Sequence, residues 1–178
     1  MKKTILITGG GRGIGAACAR LAAAQAYRVC INYRSDDAAA ASIVRAIEDA
    51  GGEAVALRAD VAREAEVEAL FAQVDARFGR LDAFVNNAGV LAQQMRVDQM
   101  DGARIERILM TNVVGSFLCA REAVRRMSTK HGGSGGAIVH VSSRAAVLGS
   151  PGEYVDYAAS KAALDALTIG LSKEVAGE

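Results

Sequence analysis

A tyrosine and a lysine lie four residues apart in the segment YVDYAASKAAL, which spans residues 154–164. Residues at positions i and i+4 share one face of an α-helix, so Tyr157 and Lys161 are expected to lie within reach of each other. A free phenol has a pKa of about 10 and is a poor base near neutral pH, whereas a neighbouring cation stabilises the phenolate. The pair therefore suits a general acid–base that exchanges a proton with a substrate oxygen, although the same spacing also occurs on ordinary helix surfaces.

Other hydroxyl groups near this pair are candidates for the same chemistry. Tyr154 is a second phenol, but the residue four positions after it is Ala158, so we expect Tyr154 to line a substrate pocket or to pack. Ser143 precedes Tyr157 by 14 residues, in the segment VSSRAAVLGS. Its hydroxyl could hold the oxygen of a ketone or an alcohol against the phenol. Ser142 is the alternative to Ser143.

A glycine-rich segment, TGGGRGIG at residues 8–15, lies between a predicted strand and a predicted helix. Glycines allow the backbone to turn tightly and to approach a pyrophosphate, which the amino terminus of a helix attracts. The glycines fit neither the spacing GxGxxG nor the phosphate loop of nucleoside triphosphatases, which requires a lysine after its last glycine. They fit the pattern TGxxxGxG, with Thr8, Gly9, Gly13 and Gly15. A sharp turn that binds no ligand is the alternative.

Short apolar segments alternate with helical segments along the chain, and they must position these residues. The strands are predicted within residues 3–8, 28–33, 53–61, 81–89 and 136–143. The helices are predicted at residues 13–26, 36–50, 64–78, 101–129 and 154–176, with Ile14, Cys18, Leu21 and Ala22 on one face of the first. The alternation predicts one α/β domain over residues 1–178, with a doubly wound parallel sheet of the Rossmann type. Ligands bind at the carboxyl ends of the strands in such sheets, which is where the candidate residues lie.

The order of the motifs resembles that of the short-chain dehydrogenases/reductases. Members of that family carry TGxxxGxG, then NNAG, then a serine, then YxxxK. This chain has TGGGRGIG, NNAG at residues 86–89, SS at 142–143 and YAASK at 157–161. The resemblance covers the whole chain and implies hydride transfer between a nicotinamide cofactor and a carbonyl or secondary alcohol. It extends to sugar dehydrogenase-like members and to 3-oxoacyl-carrier-protein reductases, so the substrate stays open.

The resemblance also implies roles for further residues. Asp60 would contact the adenine amino group and Val61 would add backbone contacts, although an aspartate is also a typical helix N-cap. Asn112 would bend its helix and hold a water that leads to Lys161, although an exposed asparagine would also be tolerated there. Lys161 would bind the hydroxyls of the nicotinamide ribose. The predicted cofactor-binding set is Gly9, Gly11, Arg12, Gly13, Ile14, Arg34, Asp60, Val61, Asn87, Ala88, Gly89, Tyr157 and Lys161; the predicted catalytic set is Asn112, Ser143, Tyr157 and Lys161.

The end of the second predicted strand, RVCINYRSDD, bears on the choice of cofactor. A carboxylate at this place binds the ribose 2′-hydroxyl of NAD(H), but here Tyr33 takes its position. Arg34 follows directly and Arg12 lies in the glycine-rich segment, and two guanidinium groups suit a 2′-phosphate. The prediction is therefore NADP(H). Two solvated surface arginines would also account for the pattern, and so would NAD(H) bound through Asp36 or Asp37.

Composition excludes several function classes. The net charge is +1 with acids and bases interspersed, which gives no reason to expect nucleic acid, and no apolar segment reaches the roughly 20 residues of a membrane span. Cys18, Cys30 and Cys119 are far apart, which predicts core residues of a reduced cytoplasmic protein. With only two histidines, His131 and His140, no metal site is predicted.

Two further expectations concern the whole molecule. Family members continue beyond the final KEVAGE with parts that cover the substrate, so a partial sequence is expected. The helices predicted at 101–129 and 154–176 carry wide apolar stripes, and by resemblance they would form a dimer or tetramer.

The sequence also bears on functions outside hydride transfer. A non-redox epimerase or dehydratase is disfavoured because the spacing GxxGxxG is missing. A cofactor-sensing protein without catalysis is disfavoured because the serine, the tyrosine and the lysine are all in place. A subunit that serves only protein interaction stays open.

Overall fold

A central sheet of five parallel strands forms the scaffold in the computed structural model, which describes residues 2–178. The strands are β1 (Thr4–Ile7), β2 (Arg28–Tyr33), β3 (Glu53–Arg58), β4 (Ala83–Asn86) and β5 (Ala137–His140). Their order across the sheet is β3-β2-β1-β4-β5, and every neighbouring pair is parallel. The chain therefore reverses its direction of winding after β3, between β1 and β4, as in other doubly wound sheets. The predicted fold class is confirmed.

Helices connect the strands and cover both faces of the sheet. They are α1 (Gly13–Ala24), α2 (Asp37–Asp49), α3 (Glu64–Phe78), α4 (Gly102–Leu109), α5 (Gly115–Met127), α6 (Ala145–Leu148) and α7 (Val155–Glu174). Two short 3₁₀ turns lie at Val97–Gln99 and Thr129–His131. The prediction of one helix over 101–129 was right in extent but missed an interruption, because α4 and α5 are joined by a π-helical segment, Met110–Val114.

The core consists of one apolar layer on each face of the sheet. In β1, Ile5 and Ile7 face the layer under α1 and α2, whereas Leu6 faces the layer under α3 and α5. Phe71 of α3 and Phe84 of β4 are fully buried in the second layer, with their rings edge to face. Both faces of β1 and β2 are covered, and these strands are nearly continuously buried, as expected for parallel strands. The edge strand β5 is covered less completely, and its Val139 is 53% exposed.

Helix α1 packs through only part of the predicted face, since Cys18 and Ala22 contact the core but the two larger residues do not. Ile14 and Leu21 were expected on the buried side, but they are 61% and 69% exposed. The buried residues of the helix are Gly15, Ala16 and Ala19. Small side chains on this face let the helix backbone approach the sheet closely, which larger residues would prevent.

The cysteines lie as predicted. Cys30 and Cys119 are buried, and Cys18 is half-buried; all three are free thiols. Burial raises the pKa of both Cys30 and Cys119 to about 12, so these thiols are inert packing groups. No helix within residues 2–178 has the length and apolar character that crossing a membrane requires.

Candidate active site

A cleft of about 480 Å³ opens at the carboxyl ends of β1, β2, β3 and β4. Eleven of the predicted cofactor-binding residues line it: Gly9, Gly11, Arg12, Gly13, Ile14, Arg34, Asp60, Val61, Asn87, Ala88 and Gly89. They come from four segments far apart in sequence. Parallel strands place their carboxyl ends on one edge of the sheet, and that geometry brings the segments together.

The glycine-rich segment forms the floor of the cleft. Gly9 and Gly13 have φ angles of 63° and 54°, a region that other residues avoid. A Cβ added at Gly15 would lie 2.5 Å from the carbonyl oxygen of Gly9, so no side chain fits there. Among residues 2–178 no side chain caps the amino terminus of α1, and its first turn has no acidic residue. The free N–H groups and the helix dipole therefore fit a pyrophosphate.

The NNAG segment is tied to the glycine-rich segment by hydrogen bonds. The hydroxyl of Thr8 accepts from the backbone N–H groups of Asn87 (3.0 Å) and Ala88 (3.1 Å). The side-chain amide of Asn87 donates to the carbonyls of Thr8 (2.9 Å) and Gly9 (3.2 Å). These contacts hold the floor of the cleft against its NNAG wall before any ligand binds.

Asn32 was missed by the sequence analysis, although it supports the same walls. It is 2% exposed at the end of β2, and its amide donates to the carbonyl of Ala59 (2.9 Å) beyond β3. Its oxygen accepts from the N–H of Gly9 at 3.4 Å. A signal was present, because an asparagine inside the otherwise apolar RVCINY strand requires polar partners.

The arginine end of the cleft has two cationic and two acidic side chains nearby. Arg12 and Arg34 both line it. Asp36 is the N-cap of α2, with its Oδ1 accepting from the N–H of Ala39 (2.9 Å). The neighbouring carboxylate of Asp37 raises the pKa of the Tyr33 hydroxyl above its ordinary value. Asp36 also lines the cleft, so the same carboxylate caps α2 and borders the site.

Asp60 is not a helix N-cap, so that alternative is wrong. Helix α3 begins four residues later, and its N-cap is Arg63. The Oδ1 of Asp60 instead accepts from the N–H of Ala62 (3.0 Å), which stabilises a turn directly after β3. The turn places the Asp60 side chain in the wall of the cleft.

Asn112 is fully buried in the π-helical segment, so the alternative of an exposed asparagine is wrong as well. Its Oδ1 accepts from the N–H of Val90 (2.7 Å), and its Nδ2 donates to the carbonyl of Val90 (3.0 Å). The Nδ2 also donates to the hydroxyl of Ser160 on α7 (3.0 Å). The side chain thereby joins the loop after β4 to the helix that carries Tyr157 and Lys161.

Lys161 is buried next to the NNAG wall, although neither Lys161 nor Tyr157 is among the residues that line the cleft. This burial excludes an ordinary exposed helix surface for the lysine. The side chain is 4% exposed in total, and its Nζ donates to the carbonyl of Val141 (2.7 Å). The Nζ lies 3.6 Å from the position of a Cβ added at Gly89, so the ammonium borders the NNAG wall. It lies 5.6 Å from the centre of the Tyr157 ring. Burial lowers the pKa of Lys161, and the charge of Asp165 partly opposes that effect.

The two candidate serines differ in what their hydroxyls do. Ser143 accepts from the N–H of Ala145 (3.1 Å) at the start of α6, so its own proton stays free for a substrate oxygen. Ser142 donates to the carbonyl of Lys161 at 3.4 Å. Helix α6 was not predicted, and it supplies the turn that orients Ser143.

A buried ion pair between Arg104 and Asp156 was also missed. Arg104 lies on α4, and Asp156 directly precedes Tyr157 on α7. The sequence carries no signal for the pair, since the two residues are far apart in the chain and each is common on exposed helix faces.

The chain matches the family model described as short chain dehydrogenase over residues 3–178. It is 55% identical over 173 residues to the uncharacterized oxidoreductase YgfF of Escherichia coli. It is 38% identical over 174 residues to 3beta-hydroxysteroid dehydrogenase 1 of Eggerthella lenta, and 34% identical over 176 residues to a 3-oxoacyl-[acyl-carrier-protein] reductase of Staphylococcus aureus. These matches cover 97–99% of this chain and 65–70% of the relatives' lengths.

Solved structures resemble the fold over the same extent. A short-chain dehydrogenase from Burkholderia cenocepacia in complex with NADP superimposes with a TM-score of 0.90 at 35% identity, covering 98% of this chain and 69% of that one. A short-chain type dehydrogenase/reductase from Mycobacterium marinum gives a TM-score of 0.92 at 33% identity, with coverages of 98% and 70%.

Proposed function

Since the chain belongs to the short-chain dehydrogenase family and is an oxidoreductase of that family, we propose that it uses NADP(H) to interconvert a carbonyl and a secondary alcohol. The observation that carries the proposal is the continuity of the cleft. It runs from Arg12 and Arg34, past the uncapped end of α1, to the NNAG wall against which the buried Lys161 ammonium lies. A dinucleotide has its phosphates, ribose and nicotinamide in that order.

The preference for NADP(H) over NAD(H) is supported by the charges at the strand end. Arg12 and Arg34 line the cleft, and Arg34 rather than a carboxylate directly follows β2. Asp36 also lines the cleft, but its Oδ1 caps α2. Guanidinium groups match the geometry and charge of a 2′-phosphate. One of the solved neighbours is in complex with NADP, which agrees with this choice.

The proposed mechanism assigns proton chemistry to the protein. When bound, NADP(H) supplies or accepts the hydride at the substrate carbon. In the reducing direction the Tyr157 hydroxyl donates its proton to the carbonyl oxygen, which becomes the alcohol oxygen, and in the oxidising direction the phenolate takes that proton back. Ser143 donates a hydrogen bond that orients the same oxygen. The Lys161 ammonium stabilises the phenolate and binds ribose hydroxyls, and Asn112 holds the loop and helix that carry these groups in register.

The test of cofactor choice is a fluorescence titration of NADPH and NADH into the wild-type protein and the Arg34→Ala variant. The wild type is expected to bind NADPH more tightly than NADH. Loss of one charge-assisted contact is expected to weaken NADPH binding about tenfold or more and to leave NADH binding nearly unchanged.

The matched control is Arg45→Ala, which removes an exposed arginine of α2 outside the cleft. This variant is expected to bind both cofactors as the wild type does. An equal loss of NADPH and NADH affinity in Arg34→Ala would refute the assignment of the 2′-phosphate. If the wild type bound neither cofactor, the proposal itself would be wrong for this chain.

A further inference from the structure

Helix α7 is attached to helix α4 by a buried ion pair next to the proposed catalytic tyrosine. The Nε of Arg104 donates to Oδ2 of Asp156 at 2.8 Å, and its Nη2 faces Oδ1 at 3.4 Å. The two side chains are only 8% and 3% exposed. A fork-shaped pair of this kind fixes direction as well as distance, because both nitrogens must meet both oxygens.

The carboxylate of Asp156 also holds the first turn of α7. Its Oδ1 accepts from the backbone N–H of Tyr157 (2.9 Å), while the N-cap residue Tyr154 provides no side-chain acceptor. Burial by itself raises the pKa of Asp156, but the bonds from Arg104 and from the Tyr157 N–H outweigh it and lower the pKa below its ordinary value. The carboxylate is therefore ionised, and its contacts intact, throughout the neutral range.

The guanidinium has a third contact, with the loop that precedes α4. The Nη1 of Arg104 donates to the carbonyl of Gln93 at 2.6 Å. Gln93 lies in the loop that leads from the NNAG segment to α4. Arg104 thus joins this loop to the amino-terminal turn of α7.

One turn further along α7, Asn112 makes a similar bridge between the same loop and the helix. Asn112 bridges Val90 of the same loop to Ser160 of α7, and Ser160 in turn donates to the carbonyl of Tyr157 (2.7 Å). The α7 residues of the two bridges, at positions 156 and 160, directly precede the two proposed catalytic residues. Tyr157 is therefore held through Asp156, and Lys161 through Ser160.

We propose that Arg104 and Asp156 are positioning residues, which hold the Tyr157 phenol in line with the substrate oxygen. This inference rests on the proposed acid–base role of Tyr157. Within residues 2–178 the tyrosine is held only through its backbone, by Asp156 and Ser160, and its hydroxyl makes no hydrogen bond. The direction of the phenol is then set by the first turn of α7. Displacing a reacting group by about 1 Å can cost on the order of a hundredfold in rate.

The experiment compares Asp156→Asn with the wild type, using NADPH and ethyl acetoacetate, a small 3-oxo ester, as the probe. The asparagine keeps the shape and the acceptor for the Tyr157 N–H but removes the charge that orients Arg104. The expected result is a fall in kcat of about tenfold to a hundredfold, with an unchanged Kd for NADPH. Hydrogen–deuterium exchange of the peptide covering residues 155–161 is expected to become faster, with little change in the exchange of the glycine-rich segment.

Two further variants guard against a trivial loss of folding. The double variant Arg104→Met with Asp156→Leu leaves no unpaired buried charge, and it is expected to fold, bind NADPH and show the same fall in kcat. The control Arg96→Gln breaks the exposed pair with Asp98 in the same loop, and it is expected to match the wild type in both readouts.

Each outcome either supports or contradicts the positioning role of Arg104 and Asp156. An unchanged kcat in Asp156→Asn would overturn the inference, and so would a parallel fall in kcat, NADPH affinity and thermal midpoint, which would indicate a general structural role. If the wild type binds no NADPH and does not reduce the probe, the proposed function fails. In that case the exchange data alone test whether the Arg104–Asp156 pair holds the first turn of α7. Unchanged exchange at residues 155–161 in Asp156→Asn overturns this role, and faster exchange supports it.

Discussion

At the scale of single residues, the least ordinary feature is a lysine held inside the protein without an ionic partner. Lys161 forms no ion pair within residues 2–178, and its ammonium donates to the carbonyl of Val141. Burial lowers its pKa, which shows that keeping a cation there costs the folded state some stability. The ammonium lies 5.6 Å from the centre of the Tyr157 ring, so a positive charge stands beside the proposed acid. The proposed acid–base role of Tyr157 depends on this placement.

Replacing Tyr157 by phenylalanine tests that arrangement. The variant removes one hydroxyl and keeps the ring, so the packing against Lys161 is retained. We expect kcat with the 3-oxo ester probe to fall by a factor of about 10²–10⁴, the usual contribution of a general acid, and NADPH affinity to stay nearly unchanged. Steady-state kinetics together with the fluorescence titration give both quantities.

The comparison variants are Tyr154→Phe and Tyr27→Phe. Tyr27 packs at the far end of α1, away from the cleft, and its variant is expected to behave as the wild type. Tyr154 is the rival phenol. Abolished turnover in Tyr154→Phe, combined with substantial turnover in Tyr157→Phe, would show that Tyr154 is the acid and that Tyr157 is not.

At the scale of secondary-structure elements, an ionic network joins α3 to α5 beneath the sheet. Glu122 of α5 is 5% exposed and accepts from Arg121 (3.1 Å), Arg125 (2.8 Å) and Arg126 (2.7 Å). Two of these arginines continue to α3, one to Glu64 and the other to Asp75. Burial alone raises the pKa of Glu122, but the bonds from Arg126 and Arg121 outweigh it, so the pKa is lowered.

The network predicts how stability depends on pH. Because the folded pKa of Glu122 lies below its unfolded value of 4.5, its contribution is complete above pH 4.5 and is lost as the pH falls through the folded pKa. Glu122→Gln is expected to lower the free energy of unfolding at pH 7 by about 1.5–3 kcal/mol, the range for a hydrogen bond to a charged group. The variant is also expected to lose less free energy of unfolding than the wild type as the pH falls below 4.5.

Urea unfolding at pH 7 and at pH 4 measures both effects. Glu106→Gln, on the exposed side of α4, is the control and should change the free energy of unfolding little at either pH. If the free energy of unfolding fell by the same amount between pH 7 and pH 4 in Glu122→Gln and in the wild type, other carboxylates would be responsible for the loss of stability in acid.

At the scale of the whole molecule, a run of apolar side chains lies on the outside of α4, the π-helical segment and α5. This apolar stripe consists of Ile105, Leu109, Met110, Val114 and Phe117, which are 36–50% exposed. Exposed apolar patches of this kind mark contact surfaces in folded proteins. They agree with the expectation from the sequence that this helix packs against a second subunit, which stays a prediction.

Light scattering of the purified protein tests it, with a dimer or tetramer as the expected result. Phe117→Glu places a charge in the middle of the apolar stripe and is expected to shift the distribution toward the monomer. Leu21→Glu changes a more exposed apolar residue on α1, across the sheet, and should leave the mass unchanged. A wild-type monomer at all concentrations would reject the prediction.

The fold class and most of the cleft follow from the amino-acid sequence alone. Alternating apolar and helical segments required a parallel sheet covered on both faces, and the polar motifs at the strand ends then had to meet on one edge. The glycine and arginine positions among the eleven cleft-lining residues follow from turn chemistry and strand ends, whereas Asp60, Val61 and the NNAG residues were predicted from the family resemblance.

The pairing of polar side chains inside the protein, in contrast, depends on the tertiary structure. The bridge from Asn112 to Val90 and Ser160, and the pair of Arg104 with Asp156, join residues separated by 22 to 52 positions. The packed face of α1 was decided in the same way, by how closely its glycine and alanines let it approach the sheet. A residue's own type reports its propensity and its need for a partner. Which partner it finds depends on the relative placement of helices that touch only when the whole sheet is formed.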